Sequence, residues 1–200
     1  MDKLNQKVQD MNSITTSLLH KVDDLENRSR RNNLIIHGIE ESDGETWEIT
    51  ENKVTDFIRS HLKVSLRGNV QRAHRLGRKG NDNKIRPAII CFSDWKDRDK
   101  VLSASVVLKG TSYFVNEDFS YEVREARRNL MRYARERRWI NWKIRYNKLL
   151  YRNSTYVYDS EAKAVIRTRG DRQSQQEQHN MSGDLNAMNP ISLEHKNNKP

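Results

Sequence analysis

Apolar residues near the start of the chain recur on alternating steps of three and four: Leu4, Val8, Met11, Leu18, Val22 and Leu25, with polar Thr15 in the gap. Placing Met1, Val8, Thr15 and Val22 at a, and Leu4, Met11, Leu18 and Leu25 at d, gives about four heptads. The stretch contains no Gly or Pro, so a helix is expected over residues 1–30. A lone helix of that length is marginal in water, and its stability has to come from packing against another. Self-association through this seam is therefore expected. The β-branched a and Leu d pattern leans towards dimers, while Thr15 leaves the stoichiometry loosely specified. The other reading is one amphipathic helix lying on its own domain.

The pattern then changes period. Leu34-Ile35-Ile36-His37-Gly38-Ile39 reads as a buried first strand, followed by the acidic loop Glu40-Glu41-Ser42-Asp43-Gly44-Glu45. Trp47, Val54, Phe57, Ile58 and Leu62 fall at helical spacing, and Val70 to Arg75 makes a short second strand. Gly77 to Lys84 has turn chemistry, and Pro87-Ala88-Ile89-Ile90-Cys91-Phe92 follows as a third strand with its proline at the first position. Asp94 or Ser93 can cap a helix running through Trp95, Val101 and Leu102, and Tyr113-Phe114-Val115 supplies a fourth strand. The order β-α-β-β-α-β is that of ferredoxin-like folds and RNA-recognition motifs.

From Phe119 to Arg138 the helical period returns, and Trp142 to Tyr158 alternates as short strands with a turn near Asn147-Lys148. Beyond Gly170 the chain is rich in Gln, Asn and Ser and offers little to bury, so disorder is expected there. The expected architecture is α+β: a coiled-coil helix over 1–30, a ferredoxin-like RNA-recognition-motif domain over 32–116, a small α+β domain over 117–169, and a disordered tail over 170–200.

Charge sharpens this picture. The net charge of +10 is uneven, at −4 for residues 1–60, +6 for 61–119, +9 for 120–169 and −1 beyond. Such a field attracts polyanions, and the absence of long apolar runs argues against a membrane. Cys91 is the single cysteine, so no internal disulfide exists. A buried thiol in a reducing, intracellular compartment is expected, consistent with an N-terminus that lacks a signal-peptide pattern.

Three basic clusters are candidates for phosphate binding. On the helix after Ser120, Val123, Ala126, Leu130, Tyr133 and Ala134 share one arc, and Arg124, Arg127, Arg128, Arg132, Arg135 and Arg138 line the adjacent one. A solvated face ordinarily mixes signs for i to i+4 pairing, but only Glu122, Glu125 and Glu136 oppose these arginines. The second cluster is Arg72, Arg75, Arg78, Lys79, Lys84 and Arg86, expected to be flexible at the sheet rim; the third is Arg28, Arg30 and Arg31 at the joint between helix and first strand. In Trp139 to Tyr146, Lys143 and Arg145 fall on one strand face, with Trp142, Ile144 and Tyr146 on the other. Tyr146, beside the turn, is the aromatic expected to be exposed. The positions where RNA-recognition motifs stack bases hold Ile35, Pro87 and Ile89, so base-specific readout by the sheet is not expected.

Catalysis has little support. The six histidines show no metal-ligand spacing with Cys91 or one another, and there is no GxxxxGK[ST] phosphate loop. No cofactor and no metal are expected.

Four blocks in order carry a resemblance: Glu26-Asn27-Arg28-Ser29-Arg30-Arg31-Asn32-Asn33-Leu34; Val70 to Gly77; Arg86 to Phe92; and Asn116-Glu117-Asp118-Phe119-Ser120 with Glu125-Ala126-Arg127-Arg128. Over about residues 1–160 the chain resembles the first open-reading-frame protein of LINE-type non-LTR retrotransposons and, more distantly, the baculoviral few-polyhedra proteins. The resemblance implies a homotrimer that coats element RNA as a nucleic-acid chaperone in cytoplasmic, and also nuclear, ribonucleoprotein particles, with the element's reverse transcriptase as a partner. It implies RNA-binding roles for Arg72, Arg75, Arg78, Lys79, Arg127, Arg128, Lys143 and Tyr146. Lys21-Val22-Asp23-Asp24-Leu25-Glu26 is similar to the family's trimer motif, with lysine where the family has arginine; lysine lacks the bidentate fork that would hold Glu26.

The sequence thus points to a sequence-tolerant binder of RNA and single-stranded DNA. The alternative is a protein-interaction adaptor in which the heptad helix recruits a partner.

Overall fold

A computed structural model describes residues 2–80 and 84–168. The protein is mixed α+β, with a long N-terminal helix and two antiparallel sheets. Two compact units divide between Glu122 and Val123. The expected tail over 170–200 lies outside the described residues.

In the first unit, α1 (Asp2–Arg30) leads into β1 (Asn33–His37), followed by α2 (Trp47–His61), β2 (Val70–Arg75), β3 (Ala88–Phe92), α3 (Trp95–Ala104), a 3₁₀ turn (Ser105–Leu108) and β4 (Phe114–Glu117). The strands lie in the order β2-β3-β1-β4, all neighbours antiparallel. Alternation sorts their side chains, because successive residues of a strand point to opposite faces. Leu34, Ile36, Ala73, Ala88, Ile90 and Phe92 join Val54, Phe57, Ile58 and Val101 of the helices in one core. Trp47 departs from its expected place on that helical face: it opens the first turn of α2 and is 60% exposed. Thr46 caps α2 by accepting from the Ile49 N–H, and Asp94 caps α3 by accepting from Lys96.

Two local features hold the connections, a buried carboxylate and a close backbone approach. The Asp97 carboxylate accepts from the Arg67 and Gly68 N–H groups at 2.7 and 2.9 Å, fixing the chain as it enters β2. Burial opposes its ionisation, but those two N–H groups and Lys100 hold it below the usual carboxylate range. Gly38 closes β1 with φ 91°, and a Cβ there would meet Ser112 O at 2.7 Å, so only glycine lets β1 and the entry to β4 approach this closely.

The end of α1 is tied to the end of β4. Asn27 exchanges two hydrogen bonds with Ser120, Nδ2 donating to Oγ and Oδ1 accepting from its N–H, at 2.9 and 3.0 Å. Arg30 Nη1 and Asn33 Nδ2 donate to the two oxygens of Asp118. Further up the helix, Leu4, Met11, Leu18, Val22 and Leu25 are each more than half exposed, as are Ile14 and Leu19 beside them, and Val8 is nearly so. The apolar stripe therefore does not lie on the domain as a lone amphipathic helix would.

In the second unit, α4 (Tyr121–Glu136) precedes a four-stranded meander of β5 (Lys143–Arg145), β6 (Lys148–Tyr151), β7 (Ser154–Asp159) and β8 (Ala164–Thr168). The helix ends where Arg138 turns left-handed at φ 53° and the Trp139 N–H reaches back to Ala134 O, the six-to-one closure of a Schellman motif. Leu130 and Ala134 pack on Leu149, with Tyr133, Trp139, Trp142, Ile144, Tyr156, Tyr158 and Val165 around them.

Candidate nucleic-acid interface

The hairpin cluster of the first unit is largely engaged within the domain. Arg75 is not at a flexible rim: its side chain is 3% exposed, with Nε donating to Glu45 Oε1 at 2.7 Å, Nη1 to the carbonyls of Ile39 and Arg86, and Nη2 to Glu40 O and Glu45 Oε2. Every arm of the guanidinium is hydrogen-bonded, so the expectation of a phosphate contact there is corrected. Arg86 grips Glu41 through Nε and Nη2 and donates from Nη1 to Gly77 O. Lys79 pairs with Asp43, and Lys53 with Glu45. The acidic loop at residues 40–45 thus sits on these cations. Burial raises the cost of charge on Glu45, whose side chain is 1% exposed, yet Arg75, Lys53, the Ser42 N–H and Thr50 hold its carboxyl far below the ordinary range. Arg72 and Arg78 remain exposed.

At the joint, Arg30 is divided between Asp118 and Glu26, at 2.9 and 2.6 Å. This ties the helix to the domain, and it gives Glu26 a partner within its own helix. Arg28 pairs with Asp24 at the surface, and Arg31 is exposed.

The second unit differs. The arc expected to face inward on α4 does so: Val123, Leu130 and Ala134 are buried and Ala126 and Tyr133 half-buried. Arg124, Arg128, Arg132 and Arg135 are exposed. Arg132 touches Asn129 and, at 4.0 Å, Glu136; the side chains of Arg124, Arg128 and Arg135 have no hydrogen bond or ion pair among the described residues. Arg127 is half-buried, and its Nη1 donates to Tyr146 O at 2.6 Å, which anchors the β5–β6 turn on the helix. Tyr146, at φ 51° in that turn, is 45% exposed as expected.

Lys143 and Arg145 project to solvent from β5, with Ile144 packed inward. Arg145 lies directly opposite exposed Lys148 in the β5–β6 register. Like charges directly across a ladder are destabilising, so this pair is at odds with stability as its only purpose and suits a polyanion. Lys148 was not among the residues picked out from sequence, because its opposition to Arg145 emerges only from the register. Two further cations join aromatic rings: the Arg137 guanidinium lies 3.4 Å from the Tyr133 ring centroid and that of Arg152 5.3 Å from Tyr151, which stacks on Trp139 with centroids 4.0 Å apart. Arg137 stands four residues after Tyr133, a helical neighbour that spacing could have flagged.

Cys91 is half-buried on the open face of the sheet, with its thiol donating to Gln71 Oε1, rather than in the core as expected. Among the described residues no cluster of three or more His, Cys, Asp or Glu is placed to hold a metal ion, and no helix is long and apolar enough to cross a membrane. No protein-family model matches this chain, and no curated protein matches it.

Proposed function

We infer that this chain is a self-associating, sequence-tolerant binder of RNA and single-stranded DNA with chaperone or strand-annealing activity, acting by charge neutralisation rather than catalysis. The observation that supports this reading is the cationic surface of the second unit: the Arg124, Arg128 and Arg135 side chains, which have no carboxylate or other partner among the described residues, and Arg145 facing Lys148. Interfaces that bind phosphate keep cations unpaired, because their affinity comes from releasing counterions. In the first unit, the order β2-β3-β1-β4 with both helices on one face matches the ferredoxin-like arrangement of RNA-recognition motifs, which supports that assignment.

The exposed stripe on α1 supports the coiled coil. Through the resemblance it would form a homotrimer in a non-LTR retrotransposon ribonucleoprotein with a reverse transcriptase as partner. Linking several binding surfaces in this way raises avidity without any new contact.

Titrating the full chain, freed of nucleic acid, with a generic single-stranded oligonucleotide at several salt concentrations tests the reading. Tight, length-dependent binding is expected. Replacing Arg124, Arg128 and Arg135 with glutamine should lower the salt slope by about two and affinity by more than tenfold, since each phosphate contact to a single strand contributes about 0.7. Unchanged slope and affinity would reject α4 as the interface. Weak binding of the wild type even in dilute salt would favour the protein-interaction adaptor instead.

A further inference from the structure

On the face of the first sheet turned away from α2 and α3, the β1/β4 corner ends in two aromatic rings in parallel contact. His37 and Phe114 are register partners, with centroids 4.0 Å apart and planes 12° from parallel. Phe114 is 50% exposed, so with one side against His37 its remaining surface faces solvent. The corner is rigidly built. Gly38 follows His37 directly, and its contact with Ser112 and Tyr113 holds the entry to β4 against the end of β1. Burial pushes the His37 imidazole down, so it backs Phe114 as a neutral ring at neutral pH.

The rest of this face forms a track. The next row across the sheet is Asn116, Ile35, Ile89 and His74, and the row beyond brings Asn33, Cys91 and Arg72 together. Asn116 and Arg72 are exposed, apolar Ile35 is half-buried and Ile89 buried, and none of these nine residues is acidic. Arg72, on β2, lies three inter-strand spacings from β4, about 14 Å, a span of roughly two nucleotides.

We propose that this corner is a nucleobase-stacking site, where a base of single-stranded RNA or DNA lies on Phe114 backed by His37. Asn116 stands beside it to meet the base edge, and the strand crosses Ile35 and Ile89 towards Arg72. The stacking position lies on β4, one strand outward from Ile35 and two from Ile89, which fill the usual stacking positions without an aromatic ring. The inference rests on the nucleic-acid reading above and adds to it a contact with a base rather than a phosphate. Stacking on an aromatic ring tolerates any base, because each presents a π face.

The test compares two strands of equal length, oligo-dA and an abasic phosphodiester polymer, by anisotropy titration against the full chain and its Phe114→Leu and Phe114→Trp variants. The wild type should prefer the base-bearing strand. Phe114→Leu should lose about tenfold on that strand alone, with an unchanged salt slope, and Phe114→Trp should retain the preference. Photocrosslinking of the wild-type chain to a 5-iodouracil strand, which needs no substitution, should map to the segment holding Phe114. Equal affinity of the wild type for both strands, loss by Phe114→Leu on both alike or on neither, or crosslinks confined to other segments would overturn the shelf while leaving a phosphate-only binder standing. Failure of the wild type to bind either strand in dilute salt would overturn the nucleic-acid reading itself.

Discussion

Two arginine-rich regions of this chain look alike in composition and behave as opposites. Around the β2–β3 connection, Arg75, Arg86 and Lys79 each meet a carboxylate of the acidic loop, Glu45, Glu41 and Asp43 respectively. On α4, Arg124, Arg128 and Arg135 meet none among the described residues. The difference lies in where the acids stand. In the first unit they are some thirty to forty-five residues away in sequence and are delivered by the fold. On α4, Glu122, Glu125 and Glu136 share the helix with the arginines, yet among the described residues only Glu136 comes within reach of one, at 4.0 Å. A basic run is thus evidence of a polyanion site only after the fold has shown which acids it recruits.

The sharpest break of this contrast is Glu45→Gln. Removing one member of a buried pair leaves an uncompensated charge and costs about 3–5 kcal/mol, a large part of the 5–15 kcal/mol that typically holds a domain. Urea unfolding at neutral pH should show a loss of that size, whereas the salt slope of RNA binding by the folded fraction should not move. The pH dependence fixes the sign. Glu45 titrates well below its ordinary 4.5 when folded, so the unfolded chain takes up its proton first, and the contribution is complete above that value and fades as pH falls below it. The gap between wild type and Glu45→Gln should therefore narrow by about 1.4 kcal/mol per pH unit below pH 4.5. A constant gap down to about pH 3 would mean that the Glu45 charge is not what holds Arg75.

On α4 the expectations are reversed. The combined Arg124, Arg128 and Arg135 to glutamine variant should lose more than tenfold in RNA affinity, and its melting temperature should stay close to that of the wild type, because exposed substitutions away from partners usually change stability by less than about 0.5 kcal/mol. A large drop in melting temperature would place these side chains among structural contacts and remove the contrast.

How far this was legible beforehand depended on the range of the interaction. Strands and helices came through because each is a local period: Val70–Arg75 was read with its exact ends, and Asp94 was among the expected caps. The inward arc of α4 and the exposure of Tyr146 also followed from local geometry. Arg75 was misplaced because its partners Ile39, Glu40 and Glu45 lie at separations no window spans. The same holds for the blocks around Asn27 and Asp118, which were noticed as separate strings and turn out to touch through Arg30, Asn33 and Ser120. The His37–Phe114 stack is hidden from sequence for a related reason, since only the pairing of β1 with β4 puts the two rings together, away from the first- and third-strand positions where RNA-recognition motifs stack bases.

Arg127 separates the two behaviours within one helix. Its bond to Tyr146 O gives it a structural duty that its neighbour Arg128 lacks. Arg127→Lys keeps the charge but loses the planar fork, and should lower the stability of the second unit by about 1 kcal/mol while leaving the salt slope alone. Arg128→Lys should change neither. Equal behaviour of the two variants in a thermal melt would mean that the β5–β6 turn is held by other contacts.

The smallest effect tests whether the hairpin region can be converted towards the α4 condition. Asp43 is fully exposed and Lys79 about half exposed, so their pair is screened and contributes little to the fold. Electrostatically it still matters, because Asp43 and its hydrogen bond raise the Lys79 ammonium and keep it occupied. Asp43→Asn should leave the melting temperature where it was and release one cation towards a passing strand. The salt slope should then rise by at most about 0.7, with a gain in affinity of a few fold in dilute buffer. If neither rises, the strand does not pass near this rim, and the binding surface of the first unit is confined to the open face of the sheet around Arg72.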